Sequence, residues 1–139
     1  MPSRPKAHLI DTNIILRYLM GDVPAQTAKA SALMERLESG AERAELLESV
    51  IAEIVWTMES FYGVPRSEIA EKLAAILRFR GIQAARKGAL VNALARYSTT
   101  SADYVDCLLA AKAAQRKLIV YTFDAKDFRR LGVTWETPP

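Results

Sequence analysis

Short apolar runs alternate with longer helical patterns along this chain, and this alternation is what most constrains its fold. The clearest run, residues 118–122, is continuous, short and rich in β-branched residues. Other runs lie at residues 7–10, 45–48, 81–84 and 133–135. Because they are apolar rather than alternating in polarity, they predict a mainly parallel sheet that is covered on both faces. We therefore expect an α/β fold of three layers, α/β/α.

Helical periodicity and turn residues place helices between these runs. Gly21 and Gly40 are expected to end the first two helices, and Ser49 is expected to cap the third. The predicted helices cover residues 12–20, 24–39, 49–62, a stretch after the break at 63–65, and residues 85–97, 102–115 and 124–130. There is no repeat and no interdomain linker, so we expect residues 1–139 to form one domain.

The composition excludes several kinds of chemistry. One cysteine, Cys107, excludes an internal disulfide, and one histidine, His8, excludes a Cys/His zinc cage or a paired-histidine ribonuclease. His8 lies in the first predicted strand, where we expect a satisfied core or edge histidine. No apolar run approaches the ~20 residues of a membrane span. Residues 1–6 lack the apolar segment of a secretory signal, so we expect a cytoplasmic protein.

Positive charge is concentrated in one stretch. The net charge is +3, and residues 78–96 contain five basic residues and no acidic one. These residues are Arg78, Arg80, Arg86, Lys87 and Arg96. The stretch is consistent with a polyanionic partner, and equally with a solvated helix surface.

An aspartate interrupts the most apolar helix. Residues 104–111 are apolar almost all round, which predicts a largely buried helix, yet Asp106 lies in the middle. A buried carboxylate is normally paired or bound to metal. Asp103 lies on the same face, so its charge worsens the repulsion unless a cation is present. A buried Asp106 satisfied by backbone amides or by an arginine is the alternative.

Two further aspartates follow predicted strands. Asp11 follows the first run, and Asp124 follows residues 118–122 after one intervening residue. The carboxyl ends of parallel strands are where such folds place ligands, although Asp124 could equally be an ordinary helix N-cap. Glu53 and its competitor Glu48 lie just after the second run. Carboxylates converging there would suit Mg²⁺ or Mn²⁺, and a two-metal site serves phosphodiester hydrolysis.

The acidic residues lie in four motifs that resemble those of the PIN-domain nucleases, and among them the VapC-type toxins of toxin–antitoxin pairs. The motifs are IDTN at residues 10–13, AEIVW at 52–56, ADYVDCLLAA at 102–111 and TFDAKDF at 122–128. Their order and the short chain make the resemblance specific, and it covers nearly the whole sequence.

The resemblance implies a PIN-like domain with a five-stranded parallel sheet. It also implies a Mg²⁺- or Mn²⁺-dependent endoribonuclease that forms a homodimer and is inhibited by a small antitoxin. The acidic cluster would be Asp11, Glu53, Asp106 and Asp124, with Glu53 chosen over Glu48. Asp103 would be an auxiliary acid, and Thr12, Asn13 and Thr122 would orient carboxylates or water.

Two other functions remain open. One is a catalytically silent module of the same fold that binds RNA or a protein. The other is an aspartyl-phosphate phosphatase with Asp11 as its nucleophile. The phosphatase is disfavoured because Asn13 stands where a second acid would help, and Lys126 is awkwardly placed for the lysine that this chemistry commonly needs.

Overall fold

The structure, a computed structural model, describes residues 7–139 and contains five short strands and seven helices within them. The strands are β1 (His8–Leu9), β2 (Ala44–Glu45), β3 (Ile82–Gln83), β4 (Val120–Tyr121) and β5 (Trp135–Glu136). The helices are α1 (Thr12–Met20), α2 (Pro24–Ser39), α3 (Glu48–Ser60), α4 (Arg66–Leu77), α5 (Lys87–Thr99), α6 (Tyr104–Arg116) and α7 (Ala125–Arg130). The expected absence of a secretory signal concerns residues 1–6, which lie outside the described residues.

The strands form two parallel sheets. One has the order β1-β2-β3 and the other pairs β4 with β5. The prediction of parallel pairing is confirmed, whereas the single five-stranded sheet is wrong. Within residues 7–139 no strand hydrogen bonds join β1 to β4. The physical reason is the shortness of the strands, since two residues each provide few backbone groups for a continuous ladder.

Coverage on both faces is also incomplete. Leu9 in β1 is 71% exposed and Tyr121 in β4 is 66% exposed. The run at 118–122 contributes only two residues to β4, and Leu118 and Ile119 before them are exposed. An apolar β-branched run therefore predicted a longer, buried strand than the one that forms. His8 is also exposed, although its backbone N–H donates to the Arg43 carbonyl.

The predicted helix ends are correct where glycine ends the helix. Gly21 and Gly40 follow α1 and α2 with φ of 64° and 86°, the left-handed conformation that glycine adopts without strain. The predicted cap at Ser49 is wrong, because α3 begins at Glu48 with Leu47 in the cap position. The second strand ends at Glu45 rather than Glu48, so the chain turns into α3 earlier than the apolar run suggested.

Arg66 joins the helices that surround the first turn of α6. Its guanidinium donates to the carbonyls of Tyr97, at 3.0 Å, and of Ala102, and lies 3.7 Å from the centre of the Tyr97 ring. It also pairs with Glu59 at 3.3 Å, and the Tyr97 hydroxyl donates to the same carboxylate at 2.7 Å. These contacts connect α3, α4 and α5 to the segment that leads into α6.

No helix in residues 7–139 has the length and apolar character that crossing a membrane requires.

Gly81 provides a test of the packing before β3. A Cβ atom at this position would lie 2.0 Å from the Glu42 carbonyl oxygen and 2.8 Å from that of Leu37. Since both are backbone atoms, we expect Gly81→Ala to lower the free energy of unfolding by about 2 kcal/mol or more, as overpacking does. Chemical denaturation measures this change.

Gly88→Ala is the matched control. The nearest atom to a Cβ there is the Gln115 amide nitrogen at 3.8 Å, and Gly88 lies in the first turn of α5. Alanine favours helix, so this variant should be neutral or more stable by up to about 1 kcal/mol. Equal losses in the two variants would contradict the steric explanation.

Candidate functional site

The first group of predicted site residues lies where β1 passes into α1. Asp11 occupies the N-cap position of α1 and is exposed. Thr12 is buried, and its hydroxyl donates a hydrogen bond of 3.0 Å to Oε2 of Glu53 on α3. Asn13, the next residue of α1, is exposed. The end of β1 therefore presents Asp11 next to a threonine that fixes the Glu53 carboxylate.

The second group surrounds Asp106 in the first turn of α6. Asp106 is half-buried, and this burial raises its pKa above the usual aspartate range. The negative charges of Asp103, Asp127 and Asp124 raise the pKa of Asp106 further. An aspartate that is both desolvated and surrounded by like charges is destabilised in its ionised form. A bound cation would reduce the repulsion between these carboxylates.

Three aspartates occupy N-cap positions without capping. Asp11, Asp103 and Asp124 precede α1, α6 and α7, and none of their side chains forms a cap hydrogen bond. Within residues 7–139 these three carboxylates have no hydrogen bond or ion pair at all. At Asp124 the backbone N–H instead donates to Oγ1 of Thr122, at 2.8 Å. Asp124 therefore occupies the N-cap position of α7, as the alternative interpretation expected, but its carboxylate does not cap the helix.

The two groups remain separate. In the part of the chain that the structure describes, no three acidic, histidine or cysteine side chains come close enough to hold one ion. Neither Asp11 nor Glu53 is among the charges that act on Asp106. The chemistry of the donors nevertheless fits Mg²⁺ or Mn²⁺, because every candidate is a hard oxygen ligand and most are unpaired.

Asp127 is not among the site residues that the sequence predicted. It lies one turn beyond Asp124, is half-buried, and its charge acts on Asp106. A signal was present in the sequence, since Asp124 and Asp127 have the same i, i+3 spacing as Asp103 and Asp106. Two such pairs from different helices meet around one carboxylate.

Helix α6 is not buried all round as predicted. Its buried residues, Tyr104, Cys107, Ala110, Ala111 and Ala113, form one face. Val105 and Leu109 on the other side are exposed. The apolar composition therefore overestimated the burial of Asp106, because no element in residues 7–139 covers the outer face of the helix.

Glu48, the competitor of Glu53, is already engaged. Its carboxylate forms an ion pair of 2.7 Å with Lys112 on α6, and both side chains are partly buried. The nearby Tyr104 hydroxyl is buried with no hydrogen-bond partner among the described residues. Burial and the charge of Glu48 both raise the pKa of Tyr104, so this phenol stays protonated.

The basic residues of the stretch at 78–96 do not form one surface. Lys87 donates to the Ile82 carbonyl at 2.8 Å, and burial lowers its pKa. Arg96 donates to the Leu131 carbonyl. Arg78 and Arg80 are exposed before β3, at the edge of the sheet opposite Asp11, whereas the exposed Arg86 follows β3 at the same edge as Asp11.

The destabilised charge of Asp106 has a measurable effect. Its pKa is raised in the folded state, so its contribution to stability is greatest when it is protonated and is lost as the pH rises through that pKa. We expect Asp106→Asn to raise the thermal midpoint at neutral pH in buffer without divalent cations. The advantage should shrink in acid, as thermal denaturation over a pH series would show.

Asp22→Asn is the control of opposite sign. Asp22 accepts hydrogen bonds from Tyr62 at 2.7 Å and from Arg17 at 2.9 Å, and both partners lower its pKa. This variant should be less stable at neutral pH, and its deficit should vanish in acid. A loss of stability for Asp106→Asn at neutral pH would indicate that Asp106 is a satisfied structural group.

Comparison with known proteins agrees with the motifs. The PIN domain family matches residues 8–133. The chain is also similar to a VapC ribonuclease of Aquifex aeolicus (strain VF5), with 26% identity over 130 residues that cover 94% of this chain and 96% of that protein. The resemblance inferred from the four motifs is therefore confirmed at the level of the family: this chain belongs to the PIN domain family.

Proposed function

We propose that this protein is a metal-dependent endoribonuclease that acts as the toxin of a type II toxin–antitoxin system. The observation that carries the proposal is the set of unpaired carboxylates around Asp106, because a folded protein retains such repulsion where a cation offsets it. The similarity to a VapC ribonuclease along nearly the whole chain supports RNA as the substrate.

The acidic residues have distinct tasks in this proposal. Asp11, Glu53, Asp106 and Asp124 would hold Mg²⁺ or Mn²⁺, with Asp103 as an auxiliary acid. When bound, the ion lowers the pKa of a water and offsets charge on the phosphate. The carboxylates themselves repel the phosphate backbone, so RNA should bind poorly before the cation is present.

The remaining polar residues orient these acids. Thr12 donates to Oε2 of Glu53 and so fixes one carboxylate oxygen. Thr122 accepts the Asp124 N–H and fixes the backbone that carries that aspartate. Glu53 is favoured over Glu48 as a metal ligand because Glu48 is paired with Lys112. Asn13 is exposed beside Asp11 and is a candidate to bind water.

The partners follow from the same similarity. We propose a small antitoxin as inhibitor, a homodimer as the assembly and the cytoplasm as the location. For RNA contact we propose residues of the basic stretch, Arg78, Arg80, Arg86 and Lys87, of which Arg86 has the best placement because it lies at the edge that carries Asp11. The Lys87 ammonium is occupied by the Ile82 carbonyl, and Arg78 and Arg80 lie at the opposite edge.

A catalytically silent PIN module is the second candidate. It is favoured by one observation, that no three metal-ligating side chains converge within residues 7–139. Such a module would bind RNA or a protein with no turnover. Cleavage assays with and without divalent cations separate the two functions.

Substitution of the acids tests the nuclease. We expect Asp11→Asn, Asp106→Asn and Asp124→Asn each to slow Mn²⁺-dependent RNA cleavage by more than about 100-fold, since even groups that only orient a metal ligand contribute roughly 10- to 100-fold. Excess EDTA should stop cleavage by the parent. Asp22→Asn is the control that should keep the parental rate, because Asp22 is bonded to Tyr62 and Arg17 instead. Parental rates in all three acid variants would exclude this metal site.

Thr12 provides a test of orientation. Thr12→Ala removes the donor to Glu53 and should lower kcat by roughly 10- to 100-fold. Thr12→Ser keeps the hydroxyl and should restore most of the rate. Steady-state kinetics of RNA cleavage, with thermal midpoints measured in parallel, separates this effect from a loss of folding. Identical rates for the two variants would assign Thr12 a packing role only.

A further inference from the structure

An exposed tryptophan borders the acidic residues of the second group. Trp56 on α3 is 67% exposed, which is unusual for a large aromatic side chain. It lines a cleft of about 340 Å³ between α3 and the first turn of α6. The opposite wall includes Val105, which is 56% exposed, and Asp106. The cleft thus opens directly beside a residue that we place in the metal site.

Apart from a bound cation, the lining of this cleft does not attract phosphate. Its charged members are Glu59, Asp103 and Asp106, and no basic side chain of residues 7–139 lines it. Like charges repel a phosphodiester, whereas unpaired carboxylates such as Asp103 accept hydrogen bonds from N–H donors. The apolar walls suit a flat aromatic group. A nucleobase combines an aromatic face with N–H donors at its edge, and it is the part of RNA that fits this lining.

The cleft is also held in shape before any ligand binds. The Glu59 carboxylate is held by the Tyr97 hydroxyl at 2.7 Å and by Arg66 at 3.3 Å. Tyr104 is buried beneath the opposite wall and packs edge-on against Tyr97, with ring centres 6.0 Å apart. A preformed site loses less conformational entropy on binding.

We propose that Trp56 stacks one unpaired base of the RNA next to the phosphate that is cleaved. This inference rests on the proposed nuclease function and assigns the stacked base to an unpaired nucleotide, because a base inside a duplex cannot enter the cleft. Stacking on an aromatic side chain is the usual way in which proteins hold unpaired bases. Trp56 is therefore a residue that positions the substrate and takes no part in the chemistry.

Fluorescence tests the contact without requiring cleavage. The chain has two tryptophans, so Trp135→Phe leaves Trp56 as the sole indole. In that background, with the acidic residues intact, with Mg²⁺ present and before the oligomer is cleaved, an adenosine oligoribonucleotide of about six nucleotides should quench the emission. A ribose-phosphate oligomer of equal length without bases should not. Equal quenching by both, or none by either, would overturn the proposal.

Kinetics gives the second measurement. Stacking of one base corresponds to about a 10- to 100-fold change in affinity, so Trp56→Ala should raise KM for single-stranded RNA by that factor with little change in kcat. Trp56→Phe should recover part of the loss. Phe61→Ala is the matched control. Phe61 directly follows α3, the helix that carries Trp56, and is 76% exposed, but it does not line the cleft.

The outcomes separate this inference from the nuclease proposal. Cleavage by the parent with an unchanged KM in Trp56→Ala would leave the nuclease intact and overturn the base site. A cleft reserved for a side chain of a protein partner would give that result. Base-dependent quenching by a protein that cleaves no RNA would support the base site and reject the nuclease.

Discussion

The contacts of the Arg66 guanidinium are the interactions on which the site depends most. One side chain binds the backbone carbonyls of Tyr97 and Ala102, the face of the Tyr97 ring and the Glu59 carboxylate. An arginine can do this because its planar group carries five donors and also stacks on aromatic rings. The contacts bring α3, α4 and α5 to the residues just before α6. The positions of Asp103 and Asp106, and one wall of the Trp56 cleft, follow from this junction.

A second constraint is electrostatic. Asp11, Asp103 and Asp124 each stand at the start of a helix, where a carboxylate normally caps the exposed N–H groups, yet none does so. Each helix therefore forgoes a stabilising hydrogen bond of a kind worth about 0.5–2 kcal/mol. Together with the like charges around Asp106, this indicates that the sequence has retained acidic side chains at a cost in stability. The cation that we propose would offset that cost.

Local signals in the sequence predicted much of the fold. Gly21, Gly40 and Pro24 set the bounds of α1 and α2 because their backbone preferences act within one or two residues. Whether β1 pairs with β4 was not predictable in the same way. It depends on hydrogen bonds between distant segments, and the apolar run at 118–122 could not show that only two of its residues would pair.

In the candidate site, too, local features were predictable from the sequence and contacts between distant residues were not. The spacing of Asp103 and Asp106 is local and was sufficient to single them out. The role of Thr12 as a donor to Glu53 spans 41 residues and required the structure. Residue types alone could not show that Lys87 and Arg96 donate hydrogen bonds to backbone carbonyls. In a sequence, a helical lysine or arginine gives no sign of whether its charged group lies in solvent or is bonded to the backbone.

The separation of the two sheets has a consequence for how the molecule opens. The segment from β4 through α7 to β5 contributes only Phe128 and Leu131 to the buried core, whereas α3, α4 and α5 contribute nearly half of it. Segments with little buried area exchange their amide hydrogens through local opening, at a lower free energy than global unfolding. Asp124 and Asp127 are carried by this segment. The aspartates around Asp106 therefore depend on a segment that is expected to open locally, and two proteins of equal global stability could differ widely in how long Asp124 and Asp127 stay beside Asp106.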